Sequence, residues 1–163
     1  MLQINELLGN EAIKRYLERM VRKQAIANSL LFAGPDGIGK SLFALALATM
    51  VMSQDDPTGS HRRKIASGNH PDVHIYRPEG KLGLHSIASL RQFCDEVHLA
   101  PNESKWKVFI IQEADRMLSY SANALLKTFE EPTPNTLIIL VSSSPELLLP
   151  TVLSRCRAVH FIR

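Results

Sequence analysis

The sequence predicts an α/β fold of three layers, a five-stranded parallel sheet flanked by helices. Three observations point to it. Strand-length apolar runs at 30–33, 72–76, 107–111, 137–141 and 159–161 alternate with longer segments of helical character, the order produced by a parallel sheet with crossover helices. Lys107-Val108-Phe109-Ile110-Ile111 and Leu137-Ile138-Ile139-Leu140-Val141 are continuous runs, not alternating ones, as expected of strands covered on both faces. Between the first run and the helix that follows stands Gly34-Pro35-Asp36-Gly37-Ile38-Gly39-Lys40-Ser41, a strand, glycine loop and helix in succession. The 163 residues suffice for one domain that buries roughly 70% of its extended surface.

The elements follow in order. Over residues 10–23, Ile13, Leu17, Met20 and Val21 form an apolar stripe at helical spacing, with Asn10 placed to cap the helix. Arg15, Arg19 and Arg22 line another face and read either as solvated charge or as phosphate contacts. Strand 30–33, the glycine loop and a helix over 40–52 come next. Ser53 to Asn69 is polar, with a turn at Asp55-Asp56-Pro57-Thr58-Gly59, and reads as the least structured stretch. His61-Arg62-Arg63-Lys64 within it reads as solvated. Asp72 to Tyr76 is a second strand, and His70 and His74 are not placed to converge on a metal. Ser86 to His98 reads as a helix burying Ile87, Leu90, Phe93, Cys94 and Val97, with Pro101 beyond its end. After strand 107–111 a helix starts at Ser119 or Ser121. It buries Leu118, Ala122, Leu125, Leu126 and Phe129, and Glu130-Glu131-Pro132-Thr133-Pro134 ends it. Strand 137–141 closes on Ser142-Ser143-Ser144-Pro145, a short helix over 146–154 leads to Ser154-Arg155-Cys156, and Val159-His160-Phe161 is the last strand.

Composition narrows the class. A net charge of +3 is compatible with nucleic acid without requiring it. Cys94 and Cys156, far apart in sequence, lack metal-ligand spacing, and nothing suggests a disulfide framework. Met1 to Glu6 lacks the basic start of a signal peptide, and no apolar run reaches membrane-spanning length. The expectation is a cytoplasmic protein with no membrane partner.

The chemistry centres on the glycine loop. Gly34, Gly37 and Gly39 allow positive φ and close backbone approach. Successive N–H groups at the start of the helix then make an anion site. Lys40 can reach the β- and γ-phosphates, and the Ser41 hydroxyl can ligate magnesium. Read this way, Gly34, Gly37, Ile38, Gly39, Lys40, Ser41 and Leu42 hold ATP with Mg2+; the alternative is a glycine-rich turn with a chance Lys-Ser. Such a loop works with a carboxylate at the end of a neighbouring strand. Gln112-Glu113 occupies that place. Gln112 keeps a carbonyl oxygen and lacks the charge; Glu113 is either a general base or an exposed acid. The Ser142 and Ser143 hydroxyls stand where they can sense the γ-phosphate or the attacking water. Arg155 is either a surface arginine or a finger completing the active site of a neighbouring subunit, a role that accelerates phosphoryl transfer by about 10³–10⁵.

Together these residues resemble the nucleotide-binding domain of bacterial clamp-loader subunits of DNA polymerase III, of the AAA+ ATPase class. The matching stretches are the glycine loop, Gly68-Asn69-His70-Pro71-Asp72, Ala122-Asn123-Ala124-Leu125-Leu126-Lys127 with Glu130-Glu131-Pro132, and Thr151-Val152-Leu153-Ser154-Arg155-Cys156. They span the chain almost end to end, and L-L-K-x-x-E-E-P and S-R-C are far more specific to clamp loaders than the glycine loop. Gly-Asn-His-Pro-Asp, followed by a helix containing Arg91, is similar to the delta-prime type more than to gamma/tau. The resemblance implies a largely rigid member of a hetero-pentameric ring that opens the sliding clamp and places it on primed DNA. It implies that Arg155 acts in trans on ATP held by an adjacent subunit; Glu113 and Ser143, by their places at strand ends, are the expected catalytic residues of the chain's own site. Delta-prime chains often have a degraded phosphate loop; here it is intact, and Gln112 implies slow hydrolysis or none, at most a weak ATPase alone. The alternative within the resemblance is a gamma/tau-like motor subunit that hydrolyses ATP. A small-molecule kinase would need a basic lid, for which only His61–Lys64 is available. The family often carries a four-cysteine zinc module before Gly-Asn-His-Pro-Asp; Ser53 to Gly68 has no cysteine, so no zinc is expected. Residues 1–163 are expected to be the nucleotide-binding domain alone, without the lid and collar domains, monomeric and weak in nucleotide binding.

Overall fold

Five parallel strands form the middle layer: β1 (Ser29–Ala33), β2 (Val73–Tyr76), β3 (Lys107–Ile111), β4 (Thr136–Ser142) and β5 (Arg157–His160), in the spatial order β2-β3-β4-β1-β5. The computed structural model describes residues 3–54, 56–117 and 119–163, with residues 119–124 described by backbone alone. The central strands β1, β3 and β4 are buried at every position, which is why their sequences are apolar runs and not alternating patterns.

Side chains still alternate between the two faces. Leu30, Phe32, Val108, Ile110, Leu137 and Ile139 meet α1 (Glu11–Arg22), α2 (Lys40–Met52) and α3 (Ser60–Ser67) through Leu17, Met20, Phe43, Leu47 and Ile65. Leu31, Phe109, Ile111, Ile138 and Leu140 meet α4 (Ile87–Glu96), α5 (Ser119–Glu130) and α6 (Pro150–Leu153) through Leu90, Phe93, Leu125, Phe129 and Val152. The three-layer α/β expectation therefore holds. Cys94 packs against the second of these cores, half-buried. The expected contacts of Leu118 and Ala122 and the turn position Asp55 lie outside the described residues.

Four local expectations are corrected. Asn10 stands at the N-cap of α1, but its side chain makes no capping bond. Its Oδ1 accepts the Ile162 amide hydrogen at 2.8 Å and its Nδ2 donates to the Ile162 carbonyl at 2.9 Å, tying α1 to the end of the chain. The stretch expected to be least structured contains α3, closed by Gly68 at φ 78° with Asn69 N–H donating to the Lys64 carbonyl, a glycine C-terminal cap. The short helix over 146–154 is two pieces, a 3₁₀ turn at Pro145–Leu147 and α6. Leu149 precedes Pro150 and is extended, because a proline disfavours helical backbone in the residue before it. The last strand runs over Arg157–His160, starting two residues and ending one residue earlier than read. Phe161 leaves the ladder with its amide still donating to the Ala33 carbonyl, and its ring packs 5.1 Å from Phe32 and 5.0 Å from Phe43.

Candidate functional site

The glycine loop springs from the C-terminal end of β1, the edge of a parallel sheet where ligands are held. Ala33 lies beside Ser142 of β4 and His160 of β5. Gly34 is required by space: a Cβ there would stand 2.7 Å from the Phe161 carbonyl oxygen and 3.0 Å from its Cβ. Gly39 takes φ 91° to turn the chain into α2, so the free N–H groups of that helix face the loop. Lys40 is 6% exposed, and its Nζ donates to the carbonyls of Gly34 at 2.7 Å and Pro35 at 2.6 Å. Burial lowers its pKa below the ordinary lysine value, while Asp36 and Asp115 push the other way.

A cavity of about 380 Å³ opens in front of the loop, lined by Gly37, Gly39, Lys40, Ser41, Leu42, Gln112, Glu113, Ser142 and Ser143 among others. The backbone of Gln112 is fixed twice: its N–H donates to the Tyr76 carbonyl, and its carbonyl accepts from His85 Nε2 at 2.7 Å. Its side chain reaches across the sheet edge, where Gln112 Oε1 accepts the Ser41 hydroxyl hydrogen at 2.6 Å. Glu113 is exposed and takes a left-handed φ of 45°, an uncommon conformation for a non-glycine residue and one that recurs at functional sites. Ser142 is 1% exposed, donates to Asp115 Oδ1 at 2.6 Å and accepts the Ser144 amide hydrogen at 3.0 Å. Ser143 is exposed at the cavity rim.

The structure thus gathers Gly37, Gly39, Lys40, Ser41, Leu42, Glu113 and Ser143 around one cavity. Gly34 and Ile38 stand behind it, Ile38 packed against the core. The oxygens of Ser41, Gln112 and Glu113 suit a hard cation such as magnesium. Arg155 does not line this cavity; it lies after α6, paired with Glu130. Sequence reasoning passed over Asp115 and His85. An acid three positions after Gln112 and a histidine 27 positions before it carry no individual signal until the fold brings Asp115 to Ser142 and His85 to the Gln112 carbonyl.

A second cluster joins α3 to the Gly-Asn-His-Pro-Asp segment. His61, His70 and Glu103 bring one donor atom each within 4.8 Å of one another. His70 Nδ1 accepts the Asp72 amide hydrogen at 3.0 Å, which leaves its proton on Nε2, shared with His61 Nδ1 at 2.7 Å. A metal on His70 Nε2 needs the opposite tautomer, so the pair is held as a hydrogen bond.

A glycine loop after β1, an amide and a carboxylate after β3, and hydroxyls at the end of β4 in a sheet of this order define a P-loop fold of the AAA+ class. The chain belongs to the DNA polymerase III delta-subunit family: the family model described as DNA polymerase III, delta subunit matches residues 9–163. It is 35% identical to the DNA polymerase III subunit delta' of Bacillus subtilis over 98% of this chain and 49% of that protein. It is 32% identical to the tau subunit of the same organism over 99% of this chain and 29% of that protein. Among solved structures, a DNA polymerase III gamma subunit-related protein of Thermotoga maritima superposes with a TM-score of 0.68 at 26% identity, over 90% of this chain and 46% of that one. The chain spans about half the length of the delta' relative or less.

Proposed function

We propose that this chain is the nucleotide-binding domain of a delta-prime-type clamp-loader subunit of DNA polymerase III, which holds ATP and hydrolyses it slowly or not at all. The observation that carries the reading is the 2.6 Å contact between Ser41 Oγ and Gln112 Oε1 in an otherwise complete phosphate site. Gly34, Gly37, Ile38, Gly39, Lys40, Ser41 and Leu42 surround the nucleotide phosphates, with Ser41 on magnesium. Where a carboxylate would offset the ion's charge, Gln112 offers a neutral carbonyl. The ion is then bound less tightly and the attacking water is less well polarised. Glu113 at the cavity rim is the base available to that water, and Ser143 is placed to sense the γ-phosphate.

Arg155, outside its own cavity, serves the adjacent subunit's ATP in trans. The partners are the other clamp-loader subunits, the sliding clamp and primed DNA, in the cytoplasm. Residues 1–163 form the nucleotide-binding unit; the resemblance assigns lid and collar domains to the additional length of the relatives. A gamma/tau-like motor subunit is the second reading, favoured by the intact loop and by Glu113 at the cavity.

The test is a clamp loader reconstituted with the full-length chain carrying Arg155→Ala. The reading expects the complex's ATPase to fall by about 10³–10⁵ at the site Arg155 serves, while Glu113→Gln in this subunit leaves the rate near wild type. An unchanged rate with Arg155→Ala removes the trans role. A rate that collapses with Glu113→Gln favours the motor reading.

A further inference from the structure

The two segments most specific in the sequence, L-L-K-x-x-E-E-P and S-R-C, meet in the structure. Glu130 Oε1 lies 3.1 Å from Arg155 Nη2. The other arm of the guanidinium, Nη1, donates to the Thr151 carbonyl at 2.8 Å and to Ser154 Oγ at 3.3 Å. The pair is open to solvent, with side chains 35% and 49% exposed, so it adds little to stability. Its placement is also locally unfavourable. Glu130 is the last residue of α5, where a negative charge opposes the helix dipole. A residue that breaks a local rule for so little stability marks a functional position.

We propose that Glu130 is a positioning residue for Arg155. It holds the guanidinium in one pose, between Glu130 and the Thr151 carbonyl, ready to turn onto the γ-phosphate of a nucleotide bound by the adjacent subunit. The proposal rests on the reading of Arg155 as a finger in trans. Arginine has many rotamers, and ordering them at the moment of reaction costs rate. Glu130 and the Thr151 carbonyl impose that order beforehand. The guanidinium has five N–H donors, and these contacts leave part of the fork for a phosphate. Because the ion pair is wet, Arg155 exchanges the carboxylate for phosphate oxygens at little cost.

The experiment compares reconstituted clamp loaders containing the full-length chain as wild type, Glu130→Gln, Glu130→Lys, Arg155→Ala and Glu130→Gln with Arg155→Ala. It measures kcat and KM for ATP, and the thermal midpoint of each isolated full-length chain. Glu130→Gln lowers kcat about two- to tenfold, leaves KM in place and leaves the midpoint unchanged or raised. Glu130→Lys, which repels the guanidinium, deepens the loss. Glu130→Gln adds nothing once Arg155 is alanine. A full kcat with Glu130→Gln while Arg155→Ala is crippled overturns the positioning role and spares the finger. An equal fold loss on both backgrounds also overturns it, because Glu130 then acts without Arg155. A full kcat with Arg155→Ala overturns the finger and the positioning role together.

Discussion

Gln112 stands at the end of β3, where a carboxylate would accompany a phosphate loop. Its carbonyl oxygen accepts from the Ser41 hydroxyl, the group proposed to ligate magnesium, so the position reaches that ligand but is uncharged. Gln112→Asp restores a charge-assisted contact there. The expected outcome is that magnesium strengthens ATP-analogue binding about tenfold more than in wild type, read by calorimetric titration with and without the ion. An equal magnesium dependence in both proteins would mean the amide already suffices. Gly34 is a steric position: alanine there meets the Phe161 carbonyl, so Gly34→Ala lowers unfolding free energy by about 1–3 kcal/mol in a urea titration. The thiols are quiet by environment. Burial pushes Cys156 up to about 12 and raises Cys94 as well. Both are therefore expected to react more slowly with a thiol reagent at neutral pH in the folded chain than in the unfolded one, because thiolate is scarce.

At the scale of elements, the Gly-Asn-His-Pro-Asp segment is a mechanical joint. Asp72 is fully buried just before β2, and its carboxylate accepts from the amides of Asn102 at 2.6 Å, Glu103 at 2.9 Å and Ser104 at 2.9 Å, and from the Ser104 hydroxyl at 2.9 Å. Burial alone raises its pKa; these hydrogen bonds outweigh that and hold it below the ordinary aspartate value. Asp72→Ala leaves three amide donors unpaired and costs about 2–5 kcal/mol, measured as the shift in denaturant midpoint; a loss below 1 kcal/mol would contradict the joint. Lys107 does similar work at the start of β3, donating to the carbonyls of Glu96 at 2.7 Å and Leu99 at 3.3 Å at the end of α4. The strands were legible because burial on both faces demands unbroken apolar runs, and the loop because phosphate binding demands glycines, Lys40 and Ser41 at fixed spacing. Helix α3 was not, since it buries only Ile65 and a single apolar residue has no period. Nor were the contacts Ser41–Gln112, Asp72 with residues 102–104, or Glu130–Arg155. Each joins segments whose proximity depends on strand order and loop path, which local patterns do not encode.

For the whole molecule, pH acts through buried imidazoles. Burial is the largest cause holding His70 and His74 below the ordinary histidine value of 6.5. The folded chain keeps them neutral, while the unfolded chain protonates them near that value. The unfolded state thus binds more protons below about pH 6.5, and stability falls as pH drops through that range. Asp72, with its lowered pKa, adds a second loss at lower pH as it protonates. His70→Asn keeps an oxygen acceptor for the Asp72 amide and removes one titrating group, so the urea midpoint of that variant changes less between pH 7 and 5.5 than that of wild type. The central proposal is a subunit that holds ATP and cleaves it slowly or not at all. The direct measurement is a single-turnover assay with full-length chain in excess over γ-labelled ATP and magnesium. The expected result is protein-bound ATP that stays intact for minutes. Release of labelled phosphate within seconds, abolished by Glu113→Gln, would contradict it and make the chain a motor in its own right.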